Sequence, residues 1–77
     1  MPQWTVYSRT DCSLCERLLE ELVELLGPEA GAAVQVVDID GQPELERKYG
    51  ARIPVLLADG EFVCAYRLDA QRVRGYL

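Results

Sequence analysis

No histidine occurs in these 77 residues. That removes the side chain that titrates nearest neutrality, and with it imidazole acid–base catalysis, His-containing triads, haem ligation by His and most zinc sites. Long apolar runs are also missing. The longest purely apolar runs are a few residues long, against the ~20 apolar residues a membrane-spanning helix needs. Residues 1–15 hold Arg9, Asp11 and a strand-like alternation where a secretory signal would hold an apolar core, so the cytoplasm is the expected location. Basic residues are few, eight against thirteen acidic ones, for a formal charge of −5. Such a surface repels nucleic acid and anionic lipid, because phosphate neutralisation by Lys and Arg supplies most of that affinity. Neither a nucleic-acid nor a membrane partner is expected. The deficit is uneven: residues 1–40 carry eight acids and two bases, residues 41–77 five and six. Cysteine is limited to three, and the odd count argues against a disulfide-stapled secreted fold.

What is present suffices for one small domain over residues 1–77. Nearly half of the residues are hydrophobic, enough for a compact core, although a chain this short buries only ~60% of its unfolded surface. Trp4-Thr5-Val6-Tyr7-Ser8 is β-branched and aromatic and reads as a short strand. From Ser13 to Leu26 the period becomes helical. Glu16, Arg17, Glu20, Glu21 and Glu24 share a solvated face, while Cys15, Leu18, Leu19, Leu22, Val23 and Leu26 share most of the other. Gly27-Pro28 stops that helix, and Gly31 with its Ala neighbours reads as a loop. A second strand runs Val34–Ile39. Pro43 opens a helix of about two turns that Gly50 ends. Val55–Ala58 and Glu61–Ala65 flank Asp59-Gly60, a hairpin signal because both central residues need positive φ. Asp69 suits the N-cap of a last helix with Val73, Tyr76 and Leu77 on its core side. The predicted order is β-α-β-α-β-β-α, with a right-handed parallel first β-α-β and an antiparallel hairpin. That gives a four-stranded mixed sheet flanked by helices.

The chemistry centres on Cys12-Ser13-Leu14-Cys15, where a strand ends and the long helix begins. The thiolate is the nucleophile of disulfide exchange, and free N–H groups and the dipole at a helix N-terminus stabilise an anion. Cys12 takes the capping position; Cys15 lies one turn deeper and faces the buried side. At that spacing the Cβ atoms are ~5–6 Å apart, within reach of a disulfide after side-chain rotation. Cys12 is expected to attack a substrate disulfide and Cys15 to resolve the mixed intermediate. A zinc site would want four ligands, and three Cys without His do not supply them. Arg9 reads either as a charge that favours the Cys12 thiolate or as an ordinary solvated surface charge, whereas Asp11 and Glu16 oppose the thiolate. Cys64 reads as a small buried hydrophobe in the last strand, with a regulatory thiol as the alternative; Trp4 and Tyr49 read as packing residues. Ile53-Pro54 opens the third strand, and on the residues alone the bond is expected trans, cis being ~5% of X–Pro bonds.

Tyr7-Ser8-Arg9-Thr10-Asp11-Cys12-Ser13-Leu14-Cys15, then Val37-Asp38-Ile39-Asp40, then Arg52-Ile53-Pro54-Val55, then Asp59-Gly60-Glu61, together resemble the glutaredoxin-like branch of the thioredoxin superfamily, in particular its small bacterial C-x-x-C domains. The resemblance covers essentially the whole chain. It implies a thioredoxin fold, Cys12 as nucleophile, Cys15 as resolver and Pro54 in cis. It also implies a substrate groove contacted by Arg9, Ser13, Leu14, Arg52, Ile53, Pro54, Tyr66 and Arg67. Glutaredoxins usually carry Pro-Tyr between the cysteines, where Ser13-Leu14 stand here, and Thr-Val before the cis-Pro, where Arg52-Ile53 stand. Cys64-Ala65 and Tyr66-Arg67 align with the Gly-Gly and following Asp that hold the γ-glutamyl end of glutathione. Arg9 and Arg52 remain to bind a carboxylate, so glutathione stays open as a co-substrate. The expected function is a dithiol–disulfide oxidoreductase acting on protein disulfides. It would be monomeric, with no cofactor beyond its own redox-active disulfide, and recharged by glutathione or thioredoxin reductase. Two other readings compete: a non-catalytic interaction module that docks through the acidic helix face, and a metal or iron–sulfur carrier on the same fold.

Overall fold

In the computed structural model, which describes residues 2–77, the run Trp4–Ser8 forms strand β1, with Trp4 and Val6 buried. Helix α1, Ser13–Leu26, follows. Its inner face buries Cys15, Leu18 and Leu22, the last two worth ~1.5–3 kcal/mol each relative to exposure. Leu19 and Leu26 are partly buried and pack against the same core.

Gly27 ends α1 with φ at 90°, a conformation that strongly favours glycine. The loop expected after it is instead a short helix, α2, Pro28–Ala32. Proline stops one helix and starts the next for the same reason: it lacks an N–H that the first turn would leave unused, and its φ is already helical. Gly31 in α2 is buried against Val23 of α1, which leaves Val23 at the rim of the inner face.

Strand β2, Gln35–Asp38, pairs in parallel with β1; α3, Pro43–Tyr49, leads back toward strand β3, Val55–Ala58. All four residues of β3 are buried, as a central strand requires. Strand β4, Glu61–Ala65, returns antiparallel through Asp59 and Gly60, whose φ values of 49° and 80° are those of the expected two-residue turn. The turn is clasped to the start of β1: Gln3 N–H donates to Asp59 Oδ1 and Asp59 N–H to the Gln3 carbonyl, both at 2.9 Å. Strand order is β2-β1-β3-β4, a four-stranded mixed sheet.

The last helix, α4, covers Ala70–Arg74, capped by Asp69 Oδ1 accepting from the Arg72 N–H at 3.1 Å. Val73 is buried, but Tyr76 and Leu77 are exposed rather than on the core side. The helix ends two residues short of Tyr76, so its face no longer dictates their direction. Tyr76 instead meets the Trp4 ring edge-on, with centroids 5.6 Å apart. The core joins Trp4, Val6, Leu18, Leu22, Leu56, Ala58, Val63, Cys64 and Val73 into one cluster. Among the described residues no helix is long and apolar enough to cross a membrane.

Candidate redox site

Parallel pairing of β1 with β2 and antiparallel pairing of β1 with β3 and of β3 with β4 bring four chain segments to one end of the sheet. These are the loop after β1, the loop after β2, the approach to β3 and the exit from β4. Cys12 lies in the first. Its backbone is extended (φ −111°, ψ 103°), the geometry of an N-cap, and its Sγ accepts the Cys15 N–H at 3.2 Å. Its carbonyl accepts the Glu16 N–H at 3.1 Å. Just before it, Asp11 turns the chain with φ at 56°, a left-handed value that Asp tolerates better than most side chains.

Cys12 and Cys15 are joined in a disulfide with Cα atoms 5.2 Å apart, inside the ordinary range for such bridges. The two sulfurs differ in access. Cys12 is half-buried, whereas Cys15 is 4% exposed and packs under the helix. Ser13 and Leu14, between them, face outward, Leu14 at 43% exposure.

Register fixes the third segment. Tyr7 of β1 pairs with Val55 of β3, so Pro54 sits beside Ser8, four residues upstream of Cys12. The Ile53–Pro54 bond is cis, as the family resemblance implies and against the trans expectation from the residues alone. Pro54 is buried, Ile53 half-buried and Arg52 exposed. Tyr66, at φ 68° just past β4, brackets this segment from both ends: its N–H donates to the Pro54 carbonyl at 2.9 Å and its hydroxyl to the Ala51 carbonyl at 3.0 Å. Tyr66 and Arg67 then meet α1. Leu14, Arg17, Leu18, Glu21, Tyr66, Arg67 and Leu68 line a groove of about 220 Å³. Leu14, Tyr66 and Arg67, three of the residues named from the sequence, are thus brought together. Helical period alone puts Arg17 on the charged face of α1 and does not reveal that the chain after β4 comes to lie beside it.

Arg9 is engaged with the neighbouring loop. Its Nε donates to Asp40 Oδ1 at 2.9 Å, and its Nη2 lies 3.6 Å from where a Cβ on Gly50 would stand, at the end of α3. The guanidinium is committed to the loop after β2 and not to the Cys12 sulfur. Next to it the Thr10 hydroxyl donates to Asp38 Oδ2 at 3.1 Å. Tyr7 and Tyr49 stack at 4.4 Å.

Cys64 stands apart from the pair, buried in the core cluster. Burial pushes its thiol up, aided by the Asp69 carboxylate and opposed by the Asp69 backbone N–H and by Arg72. At neutral pH this keeps the thiol protonated, the form that is not the nucleophile.

Residues 3–77, all but the first two, match the family described as glutaredoxin-like domain (DUF836). The chain belongs to that family. An uncharacterized protein of Mycobacterium tuberculosis is 35% identical to it over 78 residues, spanning 95% of this chain and 79% of that one. The solution structure of a protein from Nitrosomonas europaea superimposes with a TM-score of 0.83 at 35% identity, over 100% of this chain and 93% of that chain. Oxidized glutaredoxin 2 from Chlamydomonas reinhardtii shares the fold, with a TM-score of 0.60 at 20% identity over 97% of this chain and 72% of that one. This glutaredoxin-like domain therefore has the thioredoxin-like fold, a four-stranded mixed sheet flanked by helices, with its C-x-x-C disulfide at the head of α1.

Proposed function

We propose that this glutaredoxin-like domain is a dithiol–disulfide oxidoreductase that reduces disulfides in other proteins through Cys12 and Cys15. The observation that carries the reading is the asymmetry of the bridge: one sulfur at the accessible cap of α1, the other one turn inside and buried. In the reduced protein the N–H groups of the first turn stabilise the Cys12 thiolate. That thiolate attacks one sulfur of the substrate disulfide; the other sulfur leaves with the bonding pair and takes a proton from solvent. Cys15 then gives its proton to solvent and attacks Cys12 Sγ. The second substrate thiol is released and the Cys12–Cys15 bridge forms. Two electrons have passed to the substrate, and an external thiol reductant, either glutathione or thioredoxin reductase, returns them.

The segment Arg52-Ile53-Pro54 gives a substrate chain a backbone edge beside the cap, and Ser13, Leu14, Tyr66 and Arg67 give it side-chain contacts. Both cysteines lie in one chain, so a monomer suffices. The reaction suits a reducing compartment such as the cytoplasm. The test is mixed-disulfide trapping in cell extract. Cys15→Ser should accumulate a covalent adduct with a protein substrate that dithiothreitol releases, and Cys12→Ser should accumulate none and lose turnover. Turnover that survives Cys12→Ser would overturn the reading.

A further inference from the structure

The loop after β1 carries one cation, Arg9, among the carboxylates of Asp11, Glu16, Asp38 and Asp40. An arginine three residues before an accessible thiol would draw anionic disulfides toward it. Here its charge is already paired. Its Nε is held by Asp40 at 2.9 Å, and the holder is itself fixed in place. Asp38 Oδ1 accepts the Asp40 N–H at 2.9 Å, the Asp38 carbonyl accepts from Gln42 Nε2 at 2.7 Å, and Asp38 Oδ2 accepts from Thr10. The pair is thus clamped between the loop after β1 and the loop after β2. The geometry points to Asp40 as a specificity-determining residue: by holding the Arg9 guanidinium it withholds that cation from anionic disulfides and biases Cys12 toward neutral and basic ones.

This rests on the dithiol–disulfide reading above and names the substrate charge that reading would favour. Because both partners are partly exposed, 38% and 44% by side chain, the discrimination is modest. An exposed pair of this kind carries at most about a fivefold effect, equivalent to ~1 kcal/mol.

The test is single-turnover oxidation of the reduced protein by three small disulfides: oxidised glutathione (anionic), 2-hydroxyethyl disulfide (neutral) and cystamine (cationic). Each oxidation converts the Cys12/Cys15 dithiol to the bridge and the small disulfide to two thiols, so the rate constants compare directly. Asp40→Asn should raise the rate ratio of oxidised glutathione to 2-hydroxyethyl disulfide about fivefold, lower the ratio for cystamine, and lose both shifts in 0.5 M salt. Asp40→Glu should restore ratios near wild type, and Asp40→Ser repeats the test if the Asn variant folds poorly. In an Arg9→Gln background Asp40→Asn should move the ratio less than twofold. An equal change for all three disulfides, or a full shift without Arg9, would overturn the inference. A reduced wild-type protein that none of the three oxidises would instead defeat the reading it rests on.

Discussion

Replacing Gly31 with alanine sets two effects of opposite sign against each other. Within a helix, Gly→Ala ordinarily stabilises by ~0.5–1 kcal/mol, since glycine loses more backbone freedom on folding. At this position, however, α2 presses onto α1. A Cβ on Gly31 would stand 2.8 Å from Val23 Cγ1, 3.2 Å from the Val23 carbonyl oxygen and 3.3 Å from its Cα. The first distance cannot be kept, and valine, branched at Cβ, has few rotamers with which to yield. The other two involve backbone, which yields only if the helices part. Overpacking of this kind costs ~1–3 kcal/mol, so the clash outweighs the helix gain and leaves a net loss of ~1–2 kcal/mol. For a domain of this size that lowers Tm by ~5–10 °C. Thermal melts of the oxidised protein followed by circular dichroism would measure it. Adding Val23→Ala removes the nearest contact, and the double variant should recover at least half of the Gly31→Ala loss relative to Val23→Ala alone. A Gly31→Ala protein as stable as wild type, or more stable, would refute the reasoning by showing that the helices separate at no cost. Alkylation of Cys12 in the folded variant should stay within twofold of wild type, because the damage lies at the far end of α1.

Three further outcomes concern the cysteines and the groove. Limiting iodoacetamide should label Cys12 of the reduced protein at least about tenfold faster than Cys15 or Cys64, as judged by peptide mass spectrometry; faster labelling of either buried thiol would reverse the assigned order. Burial holds the Cys64 thiol above its ordinary pKa. The unfolded chain therefore loses this proton first as pH rises, and stability should fall as pH climbs from the unfolded thiol's titration range through the folded one. Urea melts across that range would show the fall, and Cys64→Ala should remove it. In side-by-side turnover assays, coupling through thioredoxin reductase should exceed coupling through glutathione. The aromatic between the cysteines and the Gly-Gly pair are replaced, and two or three lost contacts of ~1 kcal/mol each amount to roughly 10²-fold in affinity. Robust glutathione turnover that survives Cys15→Ser would contradict this.

Much of this was legible in the sequence because local rules and tertiary packing agree. Leu18 and Leu22 repeat at helical spacing and are buried, Asp59-Gly60 makes the turn its residues demand, and Cys12 caps the helix that begins at Ser13. The misses fall where one residue can play two parts or where distant segments meet. Pro28 both stops α1 and starts α2, so a stop signal concealed a start. Tyr76 follows the periodicity of α4 but lies beyond its end. Arg9 lies 31 residues from Asp40, and no periodicity links them; only the parallel pairing of β1 with β2 makes them neighbours. The groove lined by Arg17 and Arg67 depends in the same way on where the chain goes after β4.

The clasp between Gln3 and the Asp59 turn has a practical meaning for anyone handling this molecule. It secures the beginning of β1 at the end of the sheet opposite the thiols, with the five residues of Trp4–Ser8 in between. At ~3.3 Å per residue that strand separates the two ends by roughly 16 Å. A linker, fluorophore or solid support attached ahead of Gln3 would therefore hang from the rear of the domain. A molecule immobilised this way would hold Cys12 outward, where a large folded protein can reach it.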